Sequence, residues 1–403
     1  MKTPGPLILT LNGGSSSVKF AVYGAGDVLE RRMHGTLEPI GGSAVRLRFT
    51  DVHGNDHEEA RPEATDPARV ALGLVDWLAT QMNFDALSAV GHRVVHGMAH
   101  TEPELATRAL IDELQSMSWV DPDHVPVEIA LIGAVRERAP ALPQVACFDT
   151  LFHRDMPRVA QLLAIPARFA AKGVRRYGFH GLSYAYLMQA LEQLAGAAAA
   201  QGRVVLAHLG NGASMAAVHR GRGIDTTMGF TPTAGLPMGT RSGDLDPGLA
   251  LCLSRLEPMT PQRFNDMVHH ESGLLGVSET SSDMRELLAS EAHDPRAADA
   301  VALFCYQAKK CLGAYAAALG GLDTLVFAGG IGEHAAPVRE RICDGLGFLG
   351  IEVDAARNAA HAGVISTDAS RVTVRVIHTD EQLMLARSVC RVMHYPTSAM
   401  AAP

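Results

Sequence analysis

The sequence predicts an α/β protein built from two domains of similar design. Short apolar runs alternate with longer amphipathic stretches along the chain. A strand–turn–strand hairpin with Asn-Gly and Ser in its turn also occurs twice, about two hundred residues apart. The first pairs residues 7–11 with 18–23 around NGGSSS, and the second pairs 204–209 with 215–218 around LGNGAS.

Between the hairpins the periodicity turns helical. Val70, Leu74, Trp77 and Leu78 share one face of a short helix. The run AGAAAAQG at 195–202 reads as a helix end leading into the second hairpin. Residues 221–248 keep no sustained period and are interrupted by Gly and Pro, which predicts a long functional loop. Val301, Phe304, Cys305, Ala308, Cys311, Leu312, Tyr315 and Leu319 then line a long helix that Gly320 and Gly321 stop. The apolar run 325–328 reads as a strand that delivers GGIGEHA.

Composition bounds the function. A chain of 403 residues can hold two or three cores. The net charge of −8 comes without any run of Lys and Arg that could track a phosphate backbone, so nucleic acid is not an expected partner. No window is apolar enough for a membrane span, and the start has no secretory pattern, so a cytosolic protein is expected. The six cysteines form no CxxC pair, which argues against a zinc site or a disulfide framework and for buried, reduced thiols.

The hairpin turns can carry chemistry. Backbone N–H groups of a tight Gly-rich turn, beside the hydroxyls of Ser15 and Ser17 and the charge of Lys19, suit a phosphate, although Asn-Gly and Gly-Ser also make ordinary hairpin turns. No GxxxxGK[ST] is present, so any nucleotide site is not a P-loop. A rival signal is the GxGxxA spacing of Gly330, Gly332 and Ala335 with Glu352 about twenty residues on, the pattern of an NAD-dependent dehydrogenase. A helix N-terminus facing phosphate accounts for the same glycines. Four polar clusters complete the inventory: GHRVVHG with Arg93, CFDTLFH with Asp149, YGFHG with His180 and MGTRSGD with Arg241. Singly, each reads equally as a surface Arg, a capping Asp or a satisfied His.

Taken in order, NGGSSSVKF, GHRVVHG, FDTLFH, YGFHG, HLGNGAS, TTMGFTP with MGTRSGDLDPG, SSDMRE, GGIGEHA and TDEQLMLAR resemble the acetate kinase family, within the acetate and sugar kinase, Hsp70 and actin superfamily. The resemblance implies two duplicated ribonuclease H-like domains of actin and sugar kinase type with a cleft between them. The first would comprise residues 1–150 with a returning helix at 384–403, and the second, 151–383, would bind nucleotide and dimerise. It implies reversible, Mg2+-dependent transfer of the ATP γ-phosphoryl group to acetate, giving acetyl phosphate and ADP in a homodimer, with Mn2+ as an alternative metal. Propionate is the nearest alternative acceptor, and an actin-like ATP-binding protein without kinase activity is the alternative outside enzymes.

Carried over by the resemblance, Asn12 and Glu381 match metal-associated positions, and Ser15, Ser16, Ser17 and Lys19 match the nucleotide phosphate side. His208, Leu209, Gly210, Asn211 and Gly212 match the second phosphate turn. Asp283, Met284 and Arg285 match the adenosine site, and Gly330, Ile331, Gly332, Glu333 and His334 the glycine loop near the nucleotide. Arg93, Asp149, His180 and Arg241 match the catalytic set, with Arg93 and Arg241 also on the substrate, and Val95, Phe179 and Pro232 match apolar positions around its methyl group.

Phosphoryl transfer is mostly positioning and charge neutralisation, work that suits two Arg forks and a His. A carboxylate acceptor, with a pKa near ~4, is already ionised at pH 7 and needs no general base. Asp149 is therefore expected to orient substrate, metal or water, although its position matches one to which the family assigns proton transfer. The chain departs from the family at PDHVP (122–126), where Leu-His-Asn-Pro is common, at His334 for Asn, and at Met284 for an aromatic residue. The first departure bears on acyl specificity and the others on nucleotide preference.

Overall fold

The computed structural model describes residues 5–14, 17–39, 44–62 and 67–396. The chain forms two compact units, Met1–Leu151 with Asp380–Pro403, and Phe152–Thr379.

In the first unit, β1 (Leu7–Gly13), β2 (Val18–Gly24), β3 (Glu30–Pro39), β4 (Ala44–Thr50), β5 (Asp56–Pro62), β6 (Leu87–Val94), β7 (Glu104–Leu105) and β8 (Gln144–Phe148) form one sheet in the order β5-β4-β3-β2-β1-β6-β8-β7. Strands β1 to β5 pair antiparallel, whereas β6 runs parallel to β1 and β8 parallel to β6. Helices α1 (Pro67–Gln81), α2 (Arg108–Ser116) and α3 (Val125–Arg138) lie in the connections between strands. The predicted face of α1 is the one it buries: Trp77 and Leu78 enter a core with Leu9, Leu11, Phe20, Phe49, Leu131 and Val135. Trp77 meets Phe20 and Phe49 edge-on at 5.5 and 4.7 Å between ring centres. Truncating such an anchor costs roughly 3–5 kcal/mol.

The second unit repeats the plan. Its sheet, in the order β11-β10-β9-β12-β13, contains β9 (Arg203–Leu209), β10 (Ala213–His219), β11 (Arg222–Thr226), β12 (Thr324–Ala328) and β13 (Thr373–Val376). Strands β9 to β11 pair antiparallel, with β12 parallel to β9 and β13 parallel to β12. This reproduces the order and directions of β3-β2-β1-β6-β8. Helix α4 (Gly181–Ala195) packs Tyr184, Leu187 and Leu191 on Val204, Leu206, Ala216 and Val218. Helix α5 (Pro295–Leu319) buries Val301, Phe304, Cys305, Ala308, Leu312 and Tyr315 and is capped by Gly320 at φ 68°, as its apolar stripe and glycine stop predict. Then α6 (Gly329–His334) and α7 (Ala336–Cys343) follow β12. The chain returns to the first unit with α8 (Glu381–Met393), which lies close on β6: a Cβ at Gly91 would stand 2.7 Å from Val389 Cγ2.

Some expectations change. Residues 222–226, read as the head of the long loop, form β11 because β10 offers an unpaired edge that they complete. The 195–202 run is not one helix end: α4 stops at Gly196, with φ 83°, and a separate short helix Ala197–Gln201 follows. The thiols are not all buried, since Cys252 is exposed and Cys311 half-buried. Among the described residues, no helix is long and apolar enough to cross a membrane.

Candidate active site

In the first unit the polar groups gather at the ends of β1, β6 and β8. The parallel pairing of β6 with β8 sets Arg93 opposite Cys147, so Asp149, just past the end of β8, comes within reach of the guanidinium. Asp149 is fully buried, and its Oδ2 accepts from Arg93 Nε at 2.9 Å and Nη2 at 2.6 Å. Arg93 Nη1 donates to the Gly13 carbonyl at 3.1 Å, and the side chain is 11% exposed. Burial opposes the charge on Arg93, but Asp149 and then Glu381 outweigh it, so the guanidinium is held charged more firmly than an ordinary arginine. Behind it, Glu128 of α3 accepts the Val95 N–H at 3.0 and 3.1 Å through its two oxygens. Burial pushes the Glu128 carboxyl up to about 8, against the pull of Arg93 and of that N–H.

The opening turn is closed by Gly14 N–H on the Ser17 carbonyl at 2.8 Å. Asn12 and Lys19 are cross-strand partners, so they share one face of the hairpin, Asn12 buried and Lys19 exposed. Asn12 Nδ2 donates to Glu381 Oε2 at 2.7 Å, which joins β1 to the first residue of α8. The expected ligands Ser15 and Ser16 lie outside the described residues. Among the described residues, no group of three His, Cys, Asp or Glu side chains could hold a metal. The carboxylate of Glu381 and the amide of Asn12 do supply hard oxygen donors, the type that suits a Mg2+ ion completing its shell with water and phosphate.

In the second unit, His180 sits at the N-terminus of α4 with φ 57°, a left-handed conformation uncommon for a residue with a side chain. Ser214 of β10 bonds His180 Nδ1 at 2.8 Å and is itself bonded by the Tyr184 hydroxyl. His208 of β9 is held by Ser183 at 2.7 Å, and the two imidazoles lie 4.2 Å apart. Gly212 adjoins two of the predicted residues: a Cβ there would stand 3.4 Å from His180 Nε2 and 3.9 Å from Arg241 Nη1. Arg241 Nη1 donates to the Pro232 carbonyl at 3.1 Å. The long loop is stapled to the second hairpin by Gly239 N–H on the Asn211 carbonyl at 2.9 Å, and a Cβ at Gly239 would come within 3.4 Å of the Ser282 carbonyl. The segment before Asp283 therefore adjoins the same turn.

The glycine loop completes the group. Gly329, with φ 76°, lets β12 turn into α6 against β9, where a Cβ would stand 2.7 Å from the Leu209 carbonyl. Glu333 points inward: Oε1 accepts from Gly329 N–H at 2.9 Å and Oε2 meets His378 Nδ1 at 2.6 Å. Burial raises this carboxyl, but the His378 contact and the backbone N–H groups outweigh it and hold it below the usual range. Arg339, fully buried, donates to the Gly332 and Glu333 carbonyls. His334 is 76% exposed. Asp283 caps the helix Met284–Ser290 and pairs with Arg285, which is 90% exposed, while Met284 is buried. Val95, Phe179 and Pro232 are all buried. The dinucleotide reading finds a poor frame, since α6 has only six residues and Glu352 precedes the bridge at Val353 instead of ending β13.

Glu128, Ser183 and Ser214 were not legible as site residues. Glu128 falls in line with Val125, Leu131, Ile132 and Val135 on the face that α3 buries, a placement that marks it as buried but not as part of a site, and the two serines carry no spacing signal.

The profile of the acetokinase family matches residues 7–387. The chain belongs to the acetokinase family. Acetokinases phosphorylate a carboxyl group with ATP, so this chain is a kinase acting on a small carboxylate. It is 47% identical over 392 residues to the acetate kinase of Rhodopseudomonas palustris, covering 96% of this chain and 98% of that one. The crystal structure of Porphyromonas gingivalis acetate kinase superposes with a TM-score of 0.84 at 34% identity, covering 96% of this chain and all of that one. A propionate kinase from Francisella tularensis superposes with a TM-score of 0.85 at 33% identity, covering 95% and 98%. The acetokinase thus has the duplicated actin and sugar kinase-like fold that its two matching sheets express.

Proposed function

We propose that this acetokinase transfers the γ-phosphoryl group of ATP reversibly to acetate, giving acetyl phosphate and ADP, with Mg2+ as the metal and Mn2+ as a substitute. The observation that carries the reading is Arg93. Three of its five N–H groups are committed, Nε and one on Nη2 to Asp149 and one on Nη1 to Gly13. One N–H on each terminal nitrogen is left, among the described residues, to face the two oxygens of a carboxylate.

Acetate is ionised at neutral pH, so an oxygen lone pair attacks the γ-phosphorus as the bond from that phosphorus to the bridging oxygen breaks and ADP departs. No proton leaves the acceptor, and no general base is needed. Asp149 then serves by fixing the Arg93 fork and balancing its charge. Arg241 and His180, both beside Gly212, neutralise charge on the transferring group. The turn at 208–212, the α6 glycines Gly330 and Gly332, and Ser17 with Lys19 take the nucleotide phosphates, and Asp283 to Arg285 flank the adenosine. Asn12 and Glu381 would hold the metal. When bound, the metal neutralises phosphate charge.

Val95, Phe179 and Pro232 are assigned to the methyl group of the acceptor, and propionate is the slower second substrate. The two compact units are taken as the two domains, in a cytosolic homodimer that does not engage nucleic acid. The test is a coupled assay of ADP release with ATP, Mg2+ and a panel of short carboxylates. Acetate-dependent turnover is expected. Tight NADH binding without carboxylate-dependent ADP release would overturn the reading.

A further inference from the structure

The reaction above makes no use of Glu128, yet this side chain touches both backbone segments that frame Arg93. It lies in the first turn of α3, only 2% exposed. Its two oxygens stand 3.1 Å or less from the Val95 N–H. Strand β6 ends at Val94, so the Val95 N–H is the first donor beyond the strand, and Glu128 supplies its acceptor. On the other side its Cγ lies 3.7 Å from where a Cβ on Gly13 would be, and the Gly13 carbonyl is the one that Arg93 Nη1 grips.

Charged groups face Glu128 from three directions. Arg93 comes from β6, Asp149 from the turn after β8, and Asp121 from the segment before α3, where it bonds His124 Nδ1 at 2.8 Å. The first favours an ionised Glu128 and the two aspartates oppose it, while burial opposes it most.

We propose that Glu128 is a positioning residue of the carboxylate site: protonated, it fixes the backbone between Arg93 and Val95 and leaves the Arg93 charge to the substrate; ionised, it sets a further carboxylate against Arg93 and weakens the hold on an anionic acceptor. The proposal rests on the reading that Arg93 binds the substrate carboxylate. It also makes the PDHVP departure meaningful, because Asp121 directly precedes that segment, bonds its His124 and bears on the same carboxyl.

The test measures KM for acetate and kcat between pH 6.5 and 9.5 for the wild type, Glu128→Gln and Glu128→Ala. In the wild type, KM should stay level at neutral pH and rise by up to about tenfold per pH unit once Glu128 ionises near pH 8. Glu128→Ala should raise KM at pH 7 by roughly tenfold or more with a smaller change in kcat, on the scale of one buried hydrogen bond lost. Glu128→Gln keeps an acceptor for Val95 and should rescue most of that loss while abolishing the alkaline rise. A role confined to stability would leave the KM profile untouched. A wild-type KM that stays flat to pH 9.5, or an alkaline rise that persists in Glu128→Gln, overturns the proposal; if Glu128→Ala does not fold, the Gln profile alone decides. A wild type that consumes no carboxylate overturns the acetate reading instead, so the two failures are told apart.

Discussion

Replacing Asp149 by Asn separates the two roles that this carboxylate could play. The side chain is fully buried and one of its oxygens takes two N–H groups from Arg93. The Asn oxygen can still accept from the guanidinium, but the countercharge is gone and a buried cation is left facing an amide. Breaking a buried pair in this way costs about 3–5 kcal/mol. In a unit of this size, each kcal/mol lowers the melting temperature by about 2–4 °C, so a loss of roughly 6–20 °C is expected by calorimetry. Because Arg93 would be less rigidly aimed, kcat should fall by about two powers of ten or more, the scale of a main electrostatic stabiliser. The decisive observable is the pH profile of kcat from 6 to 9.5. If Asp149 orients, the Asp149→Asn enzyme should run slower than the wild type by a constant factor across that range, since the ionised acceptor has no proton to lose. Variant activity that climbs steeply at high pH, where hydroxide stands in for a missing base, would refute this reasoning and restore proton transfer to Asp149.

Three further outcomes are expected. Arg241→Ala should lower kcat by roughly a hundredfold or more with the fold intact, and Arg241→Lys should recover only part because the planar fork is lost; a near wild-type kcat would reduce Arg241 to a loop staple on Pro232. In urea unfolding, Glu128→Gln should gain stability relative to the wild type as pH rises from the ordinary glutamate range to about 8, then level off. The sign follows because a raised carboxyl value favours the folded wild type only below the unfolded value, and that advantage is lost up to the folded one; a difference independent of pH would show that Glu128 is not held protonated. For the acceptor, kcat/KM should fall in the order acetate, propionate, butyrate, since a methylene forced into a filled pocket costs about 1–3 kcal/mol while burial returns only about 0.8. A higher value for propionate would make the enzyme a propionate kinase with the same chemistry.

What the sequence made legible was local. The Asn-Gly turns announced β1–β2 and β9–β10, and Gly320 announced the end of α5, because turn chemistry and a left-handed cap are written in adjacent residues. The strands β3 and β5 were not legible, since ERRMHGTLEP and DHEEARP are rich in charged residues without a clean alternation and read as surface until the antiparallel ladder pairs them. Strand β11 hid for another reason: five residues with one Gly have no period to detect. The contact of Arg93 with Asp149 spans 56 residues and exists only because β6 and β8 are parallel neighbours. Spacing could not announce it, and the family resemblance alone set the two residues side by side. Glu128 escaped both routes, because an acid on a helix is ordinarily solvated and its partner, the Val95 N–H past the end of β6, is 33 residues away in the chain.

The most direct measurement of the proposed chemistry follows the acceptor oxygen. Acetate carrying 18O in both carboxyl positions, incubated with ATP, Mg2+ and the acetokinase, should give an acyl phosphate that hydroxylamine traps as acetohydroxamate. Hydroxylamine attacks the carbonyl carbon, so the bridging oxygen leaves with phosphate, and mass spectrometry should find one 18O in the phosphate released with each hydroxamate. Hydroxamate formed with unlabelled phosphate would contradict attack of the carboxylate on the γ-phosphorus, and the absence of hydroxamate with ATP intact would contradict acyl phosphate formation altogether.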